Sequence, residues 1–278
     1  MTTSIGIMQG RLVPPLRGHI QCFPRDNWRD EFPRASQAGL SAIEWIFDLD
    51  DAPLNPIATD DGISEICKLS QEYGVVVRSL CADYFMAKTL VRASAEERVE
   101  RLAKLKWLLY RCGGCGVTRL VLPFVDHSRI VTDADRDDVV SALENVLATM
   151  EQAAVEIHLE TSLPPKEFRD LLDRVPHPMV CVNYDSGNSS SLGFSPYAEW
   201  DAYGDRIGSI HIKDRLLGGT TVPLGTGNAD FDALFAAVRH WAYEGPWVLQ
   251  VARGTPGDEV EWAKKNRAFL LDYLARGQ

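Results

Sequence analysis

The 278-residue sequence predicts an α/β fold, a single (β/α)8 TIM barrel that spans residues 1–278. Eight short runs rich in β-branched residues alternate with segments of helical periodicity along the chain. The runs are continuously apolar, as in parallel strands that are buried on both faces. Most of them end in a polar or charged residue, which is typical of the face that carries the active site in such barrels.

Each pair of predicted strands is separated by enough residues for a connecting helix. The strands are Ser4–Met8, Ala42–Ile46, Val75–Cys81, Thr118–Phe124, Val155–Glu160, Met179–Asp185, Ile207–Ile212 and Pro246–Val251. Gly39 and Gly74 precede the second and third strands, and glycine at this position commonly ends a helix.

Several intervening segments carry explicit helical signals. Ser94 and Glu97 have the spacing of a capping box at the start of one helix. Apolar residues then recur at helical spacing in four segments, namely Leu102–Leu109, Val139–Met150, Phe231–Trp241 and Trp262–Leu274.

A doubly wound open sheet is the structural alternative to the barrel. That fold favours a glycine-rich phosphate loop after its first strand. Here the first strand continues into Gln9-Gly10-Arg11-Leu12, which lacks that pattern. Without a linker, a low-complexity segment or an internal repeat, one domain is the simplest organisation.

Composition narrows the class of partner. The net charge of −10 argues against a nucleic acid as the main partner. No apolar run reaches the roughly 20 residues that a membrane span requires, and the Met1–Ser4 start lacks the features of a signal peptide. We therefore expect a cytoplasmic protein without membrane attachment. Trp200, Tyr203 and Trp241 are predicted to be exposed, which leaves room for a homo-oligomeric interface.

The six cysteines favour a structural role. We expect Cys22, Cys67, Cys81 and Cys181 to be small buried hydrophobic residues, without disulfides. The Cys112-Gly-Gly-Cys115 segment has the spacing of a metal-binding pair, but it lacks the second pair or the nearby histidines that zinc sites use. Its two glycines fit the end of a helix instead.

Polar residues at the strand ends are predicted to face one site. Buried charges are costly unless they are paired or bind a metal, so stability alone does not explain such a ring. The stretch Ile210–Arg215 shows the pattern most clearly, because an apolar strand carrying His211 turns abruptly into Lys213, Asp214 and Arg215. The candidate substrate-binding residues are Gln9, Arg11, Glu44, Asp83, Asp126, Asn183, Asn188, Asp214, Arg215 and Arg253.

Four consecutive strands end in residues with metal-binding side chains: Glu160, Asp185, His211 and Gln250. Two carboxylates, an imidazole and an amide oxygen suit Mn²⁺, Mg²⁺, Co²⁺ or Zn²⁺ and leave positions open for substrate oxygens. The alternative is a metal-free polar pocket held together by hydrogen bonds.

The whole chain resembles the sugar phosphate isomerase/epimerase family, a group of xylose isomerase-like TIM barrels. The resemblance rests on ordered motifs: Ile5–Leu12, Gly39–Trp45, Leu159–Thr161, Asn183–Asn188, Ile210–Arg215, Leu224–Gly227 with Asp230-Phe231, and Leu249–Arg253. It implies a divalent metal held by Glu160, Asp185, His211 and the residue at position 250. Family members have glutamate at the fourth position, where this sequence has Gln250.

That departure affects the expected reaction. In the family's epimerases, two glutamates face each other across the sugar and exchange its proton. Gln250 has an amide oxygen for a metal but cannot take up a proton. With one carboxylate fewer, metal binding is expected to be weaker or absent.

The resemblance implies a metal-assisted isomerase or epimerase that acts on a sugar, sugar acid or sugar phosphate through an enediolate. Glu160 is the candidate base, and Lys213 or Asp214 is the candidate acid opposite it. The alternatives are a dehydratase of a keto-polyol and a non-catalytic sugar-binding barrel. Endonuclease chemistry of a related barrel family is disfavoured because it needs more histidine ligands and because the chain is acidic.

Basic and aromatic residues near the strand ends suggest further substrate contacts. Lys213, Arg215, Arg253 and Arg11 are candidates for holding a phosphate or carboxylate group. Four aromatic residues near strand ends form either a wall against the sugar or part of the core: Trp45, Tyr84, Phe85 and Phe124.

Overall fold

The computed structural model describes residues 4–276, so Met1–Thr3 of the predicted N-terminal start, and the last two residues of the predicted domain, lie outside the described residues. In the described part of the chain, eight parallel strands close into a barrel. They are β1 Ile5–Met8, β2 Ala42–Ile46, β3 Val76–Cys81, β4 Arg119–Phe124, β5 Glu156–Thr161, β6 Val180–Asp185, β7 Ile207–Ile212 and β10 Trp247–Leu249. The barrel fold is therefore confirmed.

Closure of the barrel depends on the pairing of its first and last strands. Ile7 of β1 lies opposite Leu249 of β10, and Gly6 on the same strand lies opposite Ala42 of β2. The predicted strands agree to within one or two residues. The largest difference is at β10, where Gln250 and Val251 continue past the last ladder pair into the loop that faces the site.

Helices cover the outside of the barrel and fill its upper loops. They are α1 Glu31–Gln37, α2 Asp60–Tyr73, α3 Tyr84–Ala87, α4 Ala95–Cys115, α5 Asp133–Ala153, α6 Pro165–Arg174, α7 Ser186–Leu192, α8 Pro196–Tyr203, α9 Phe231–His240 and α10 Glu259–Ala275. The short α3 and α7 directly follow β3 and β6. A small hairpin of β8 Asp214–Arg215 and β9 Thr221–Val222 follows β7. Among the described residues, no helix is long and apolar enough to cross a membrane.

Local signals in the sequence correspond to real helix ends. The capping box is present, since the amide of Ser94 donates to Glu97 at 2.9 Å and the amide of Glu97 donates back to Ser94 at 3.3 Å. Gly74 ends α2 with a φ of 66°, a left-handed conformation that glycine adopts without strain. The α4 helix runs through both glycines of the Cys112–Cys115 segment and ends at Gly116.

The hydrophobic core lies between the barrel and its outer helices. Val139, Leu143, Val146 and Met150 form the buried stripe of α5, as their spacing predicts, while Leu147 is only half-buried. The aromatic residues near the strand ends belong to this core rather than to a sugar-binding wall; Trp45, Tyr84, Phe85 and Phe124 are all at most 5% exposed.

Two expectations about surface and burial are wrong. Trp200 and Tyr203 are buried, because α8 packs them against Tyr184 and Phe168; of the three aromatic residues taken as exposed, only Trp241 is. Among the cysteines expected in the core, Cys81 is buried, but Cys22, Cys67 and Cys181 are half-buried. All six thiols are free.

Candidate functional site

The candidate site is a cavity of about 800 Å³ at the carboxyl ends of the barrel strands. Loops after β1 to β4 form one side of it, and the ends of β5 to β7 and β10 form the other. The predicted site residues that line it are Asp83, Asp126, Glu160, Asn188, Lys213, Arg215 and Gln250. The other predicted residues lie beneath its floor or beside it.

Three of the four predicted metal ligands converge beneath the cavity. One ligand atom each from Glu160, Asp185 and His211 can be chosen so that all lie within 4.8 Å of one another. Nδ1 of His211 is 3.5 Å from Oε2 of Glu160 and 4.0 Å from Oδ2 of Asp185. All three residues are at most 5% exposed.

His211 is held from behind by Glu44. Its Nε2 lies 2.7 Å from Oε1 of Glu44 on β2, across the barrel interior, as an ion-pair contact. Burial by itself lowers the pKa of this imidazole, but the carboxylates of Glu44, Glu160 and Asp185 together outweigh it and raise the pKa of His211 to about 9. Burial likewise opposes ionisation of Glu44, yet His211 keeps the pKa of Glu44 below its usual value. Glu44, predicted as a substrate contact, therefore positions the imidazole instead.

Asp185 is fixed by the start of α7. Its Oδ1 accepts hydrogen bonds from the backbone N–H groups of Gly187 and Asn188, both at 2.8 Å. This is an N-cap contact, which satisfies amides that have no partner within the helix. The other oxygen, Oδ2, is left facing His211 and the ammonium group of Lys213.

Two amide side chains hold Glu160. Asn183 donates to Oε2 at 2.9 Å, and Asn188 donates to Oε1 at 2.6 Å. Burial, reinforced by the nearby carboxylate of Asp185, raises the pKa of Glu160 to about 7. The two amide donors therefore hold this buried carboxyl group in one orientation at the cavity floor.

Gln250 contacts Lys213. Its Oε1 accepts a hydrogen bond from Nζ of Lys213 at 3.2 Å, and its Nε2 donates to Gln21 at 3.0 Å. The same ammonium group donates to Asp185 and Asn188, both at 3.3 Å. A Cβ on Gly187 would lie 2.5 Å from Cγ of Lys213, so glycine is required there for the lysine stem to pass over α7.

The geometry fits a divalent metal held by Glu160, Asp185 and His211. Nδ1 of His211 is buried and has no hydrogen-bond partner among residues 4–276, while it faces two carboxylate oxygens. A carboxylate behind the other imidazole nitrogen is the usual support for a metal-binding histidine. Gln250, the fourth predicted ligand, departs from this arrangement, because its oxygen faces an ammonium group.

Several residues that were predicted to bind substrate form hydrogen bonds within the protein instead. Oε1 of Gln9 accepts a hydrogen bond from the backbone of Ile46. The guanidinium groups of Arg11 and Arg253 donate to backbone carbonyls of the loops after β1 and β10. Asp214, considered as a second acid or base, lies outside the cavity lining and accepts hydrogen bonds from the amides of Gly225, Gly227 and Ala229.

The cavity also contains residues that sequence reasoning missed. The main ones are Arg17, Gln21, Asp48, Asp50, Asp51 and Ser162. Gln21 is the most connected, since it links Gln250 to Asp83, to which its amide donates at 2.9 Å. The unusual length of the segment between β1 and β2 was the available signal, because long βα loops often carry functional residues.

A second cluster of possible ligands, Glu156, His158 and Cys181, lies nearer the amino ends of β5 and β6. His158 contacts Glu156 at 2.9 Å through Nε2 and Ser209 at 2.7 Å through Nδ1. Ser209 donates to Asn183, which in turn donates to Glu160. This cluster is therefore connected to the candidate site by hydrogen bonds through the barrel interior.

Sequence comparisons agree with this architecture. The chain is 26% identical to an L-ribulose 3-epimerase from Methylomonas sp. over 82% of this chain and 81% of that protein. It is 23% identical to a probable L-ribulose-5-phosphate 3-epimerase from Mycoplasma pneumoniae, over 87% and 82% of the two chains. An inosose dehydratase from Clostridium tetani is 25% identical, over 56% of this chain but only 61% of that enzyme.

Solved structures share the fold over nearly the whole chain. The zinc-bound IOLI protein superposes with a TM-score of 0.77 at 17% identity, covering 97% of this chain and 98% of that one. D-allulose 3-epimerase from Methylomonas sp., in complex with D-allulose, superposes with a TM-score of 0.73 at 19% identity, covering 98% and 97%.

A family model matches most of the sequence. The xylose isomerase-like TIM barrel model matches residues 32–273, which include every strand from β2 to β10. Together with the closed barrel and the convergence of Glu160, Asp185 and His211, this match shows that the chain belongs to the xylose isomerase-like TIM barrel family.

Proposed function

We propose that this protein is a metal-assisted sugar isomerase or epimerase that removes the proton next to a carbonyl group, with Glu160 as the base. The observation that carries the proposal is the position of the Glu160 carboxyl group and the hydrogen bonds that orient it. Its carboxyl group is buried at the cavity floor, lies beside Asp185 and His211 and is oriented by two amides.

Glu160, Asp185 and His211 would hold the metal, and Glu44 would orient the imidazole. A divalent ion bound there supplies the electrophile that acidifies the C–H next to the carbonyl group. The chain's own side chains then divide the remaining work. Glu160 accepts the carbon-bound proton, and Asn183 and Asn188 keep its oxygens in place.

Lys213 is the remaining candidate for the acid on the other side. Gln250 cannot exchange a proton, and the oxygens of Asp214 are taken by three backbone amides outside the cavity lining. Lys213 borders the cavity with a side chain that is 14% exposed, and its ammonium group holds protons within reach of the floor. Return of the proton to the neighbouring carbon gives isomerisation. Protonation of the original carbon from the opposite face gives epimerisation, and Lys213 would supply that proton.

Dehydration of a keto-polyol is the second candidate, supported by the matched inosose dehydratase. It shares the first step, because a base must remove the proton before a neighbouring hydroxyl group leaves. A site with one proton-accepting carboxyl group suits this reaction as well as it suits isomerisation. Product analysis separates the candidates, since dehydration alone changes the mass of the substrate.

The decisive variant is Glu160→Gln, which keeps the shape of the side chain and removes its basicity. Loss of a general base typically lowers turnover by about 10²- to 10⁴-fold. We expect that loss in the Mn²⁺-loaded protein, together with loss of exchange between the substrate's C–H and deuterium from solvent water. Glu261→Gln, an exposed carboxylate on α10, is the matched control and should leave both rates unchanged.

A contrary result would identify another function. If Glu160→Gln turns over every accepted sugar at the wild-type rate, Glu160 is not the base. If the wild-type protein binds sugars with no exchange and no product, the barrel is a binding module rather than an enzyme. Metal analysis of the purified protein should be repeated with His211→Ala to test the ligand assignment.

A further inference from the structure

The mouth of the cavity is acidic on one side. Asp48, Asp50 and Asp51 reach it from the loop after β2, Asp83 from the loop after β3, and Asp126 from the turn after β4. Burial and neighbouring carboxylates raise the pKa of Asp48 and Asp83, as expected where like charges crowd together. With Glu160 at the floor, six carboxyl groups border one cavity in the described structure.

Three permanent cations line the same cavity among the described residues, and each already has partners in the protein. Nη1 of Arg17 lies 3.3 Å from Asp50. The ammonium group of Lys213 donates to three acceptors, the full number it has donors for. Arg215 donates to Asn188 at 2.9 Å and to the carbonyl of Gly219. A phosphate group would have to displace these contacts to obtain a cation.

The arginines that sequence reasoning assigned to anion binding are also committed. Arg11 donates from Nε to the carbonyl of Val251 at 2.8 Å and from Nη2 to Gln21 at 3.2 Å. Arg253 donates to the carbonyls of Ile20 and Val13 at 3.1 and 3.0 Å. Both guanidinium groups therefore tie loops together instead of facing the cavity.

Backbone amides are the other common phosphate ligands. Near the site, three sets of described amides each point at a single acceptor, and the acceptor is a carboxylate of the protein in every case. The amides of Gly187 and Asn188 donate to Asp185, those of Gly225 and Gly227 donate to Asp214, and those of Gly10 and Leu12 donate to Glu31. A phosphate group would have to displace a carboxylate to reach any of these amides.

We propose that the cavity accepts a neutral polyhydroxy ketone of sugar or cyclitol size and discriminates against its phosphate ester. Hydroxyl groups donate hydrogen bonds to carboxylates, so the acidic side suits a polyol. A phosphate dianion instead meets a cavity in which six carboxyl groups outnumber three permanent cations. The inference rests on the proposed function for the reaction, but it is tested separately by binding.

The test compares each ketose with its own phosphate ester. The pairs are ribulose with ribulose 5-phosphate and fructose with fructose 6-phosphate. Binding to the Mn²⁺-loaded wild-type protein is measured by titration calorimetry, so that Glu160 and its charge are retained, and kcat/KM is measured for the same protein. We expect the neutral member of at least one pair to be favoured by about 100-fold or more, since like charges across an interface cost several kcal/mol.

Binding separates failure of this inference from failure of the proposed reaction. If a neutral ketose binds more tightly than its ester but is not turned over, the substrate class stands and the proposed reaction fails. If the ester binds as tightly as the ketose, or if neither member of any pair binds, the inference is overturned.

Asp50→Asn tests whether the acidic side causes the discrimination. The substitution removes one charge and leaves Arg17 with Asp51 as its remaining ion-pair partner, at 3.7 Å. Affinity for the ester should therefore rise about threefold to tenfold relative to the ketose, with a smaller effect at high salt. Asp61→Asn is the control, because Asp61 is exposed on α2 and does not line this cavity. An unchanged ratio in Asp50→Asn overturns the electrostatic explanation, and an equal change in Asp61→Asn does so too.

Discussion

The two walls of the candidate site differ in their capacity to handle protons. On the β5–β6 wall, Glu160 is an ionisable group held by Asn183 and Asn188. On the β7–β10 wall, Gln250 is a neutral amide held between Lys213 and Gln21. One wall therefore has an oriented carboxyl group, and the other has a network that fixes an ammonium group. In the proposed reaction, the single carboxylate takes the substrate's proton and Lys213 is the candidate for any second proton transfer.

The supports behind the two walls differ as well. Hydrogen bonds connect the β5–β6 wall, here called the Glu160 wall, to the polar interior of the barrel. They run from Glu160 through Asn183 and Ser209 to His158. The β7–β10 wall, here called the Gln250 wall, is hydrogen-bonded to the loop after β1. Gln21 of that loop accepts from Gln250 and donates to Asp83. Rigid strands thus position Glu160, the proposed base, while a long loop positions the amide of Gln250. We expect substitutions on the first wall to change turnover and those on the second to change metal and substrate binding.

Gln250→Glu would make the two walls alike, and among the three variants it has the largest expected effect on metal binding. A third carboxylate near Glu160 and Asp185 should tighten Mn²⁺ binding by about tenfold or more, since site charge and ligand count tune affinity. Titration calorimetry of the purified protein measures this. Gln21→Glu places the same charge on the neighbouring side chain, away from the ligand trio. Equal tightening in both variants would assign the effect to general charge, and unchanged affinity in Gln250→Glu would exclude position 250 as a ligand.

Ser209→Ala would loosen the Glu160 wall from behind. The hydroxyl group contacts Nδ1 of His158 at 2.7 Å and donates to Asn183 at 2.7 Å, so its loss leaves the buried oxygen of Asn183 without this partner. Unfolding free energy should fall by about 1–3 kcal/mol. Turnover should fall by about tenfold at nearly constant KM, because a poorly positioned base slows the chemical step.

A matched buried serine separates these two effects. Ser128 is fully buried in the turn after β4 and bonds to nearby backbone groups, with no contact to Glu160. Ser128→Ala should lower the unfolding free energy and leave kcat unchanged. If both variants lower kcat to the same extent, the effect of Ser209 is structural rather than positional.

Glu31→Gln tests how the loop after β1, which supports the Gln250 wall, is stabilised. Oε1 of Glu31 accepts hydrogen bonds from the amides of Gly10 and Leu12, and burial raises the pKa of Glu31 to about 8. Because the folded-state pKa lies above the unfolded one, the wild-type protein loses stability relative to the variant as pH rises from about 4.5 to 8. One pKa unit is about 1.4 kcal/mol, so the difference should reach roughly 2–4 kcal/mol.

Chemical denaturation at pH 5 and pH 8.5 measures this effect, which concerns the stability of the fold and is the least direct of the three for the chemistry of the site. Glu261→Gln, at an exposed position, should show no comparable pH dependence. A stability difference between Glu31→Gln and the wild-type protein that stays constant over this range would mean that Glu31 is already ionised in the folded protein. Turnover of Glu31→Gln at pH 7 should stay close to that of the wild-type protein.

Strand positions were predictable because a doubly buried parallel strand leaves a local signature. The apolar runs found in the sequence match all eight barrel strands among the described residues, and the placement of Glu160, Asp185 and His211 at strand ends followed from them. Helix boundaries were equally local, as the contacts between Ser94 and Glu97 show. Burial was less predictable, and Trp200 and Tyr203 were taken as exposed because α8 alone does not reveal its packing partners.

Side-chain partners were decided only by the tertiary structure. The sequence alone determined the barrel, the end of it that carries polar residues, and the absence of a second glutamate at Gln250. It did not determine that Glu44 lies behind His211, that Lys213 lies against Gln250, or that Arg11 and Arg253 bind backbone carbonyls. These contacts join residues up to 240 positions apart. Local patterns position the strands, whereas the direction of each charged side chain depends on which distant donor or acceptor the closed barrel brings within about 3 Å of it.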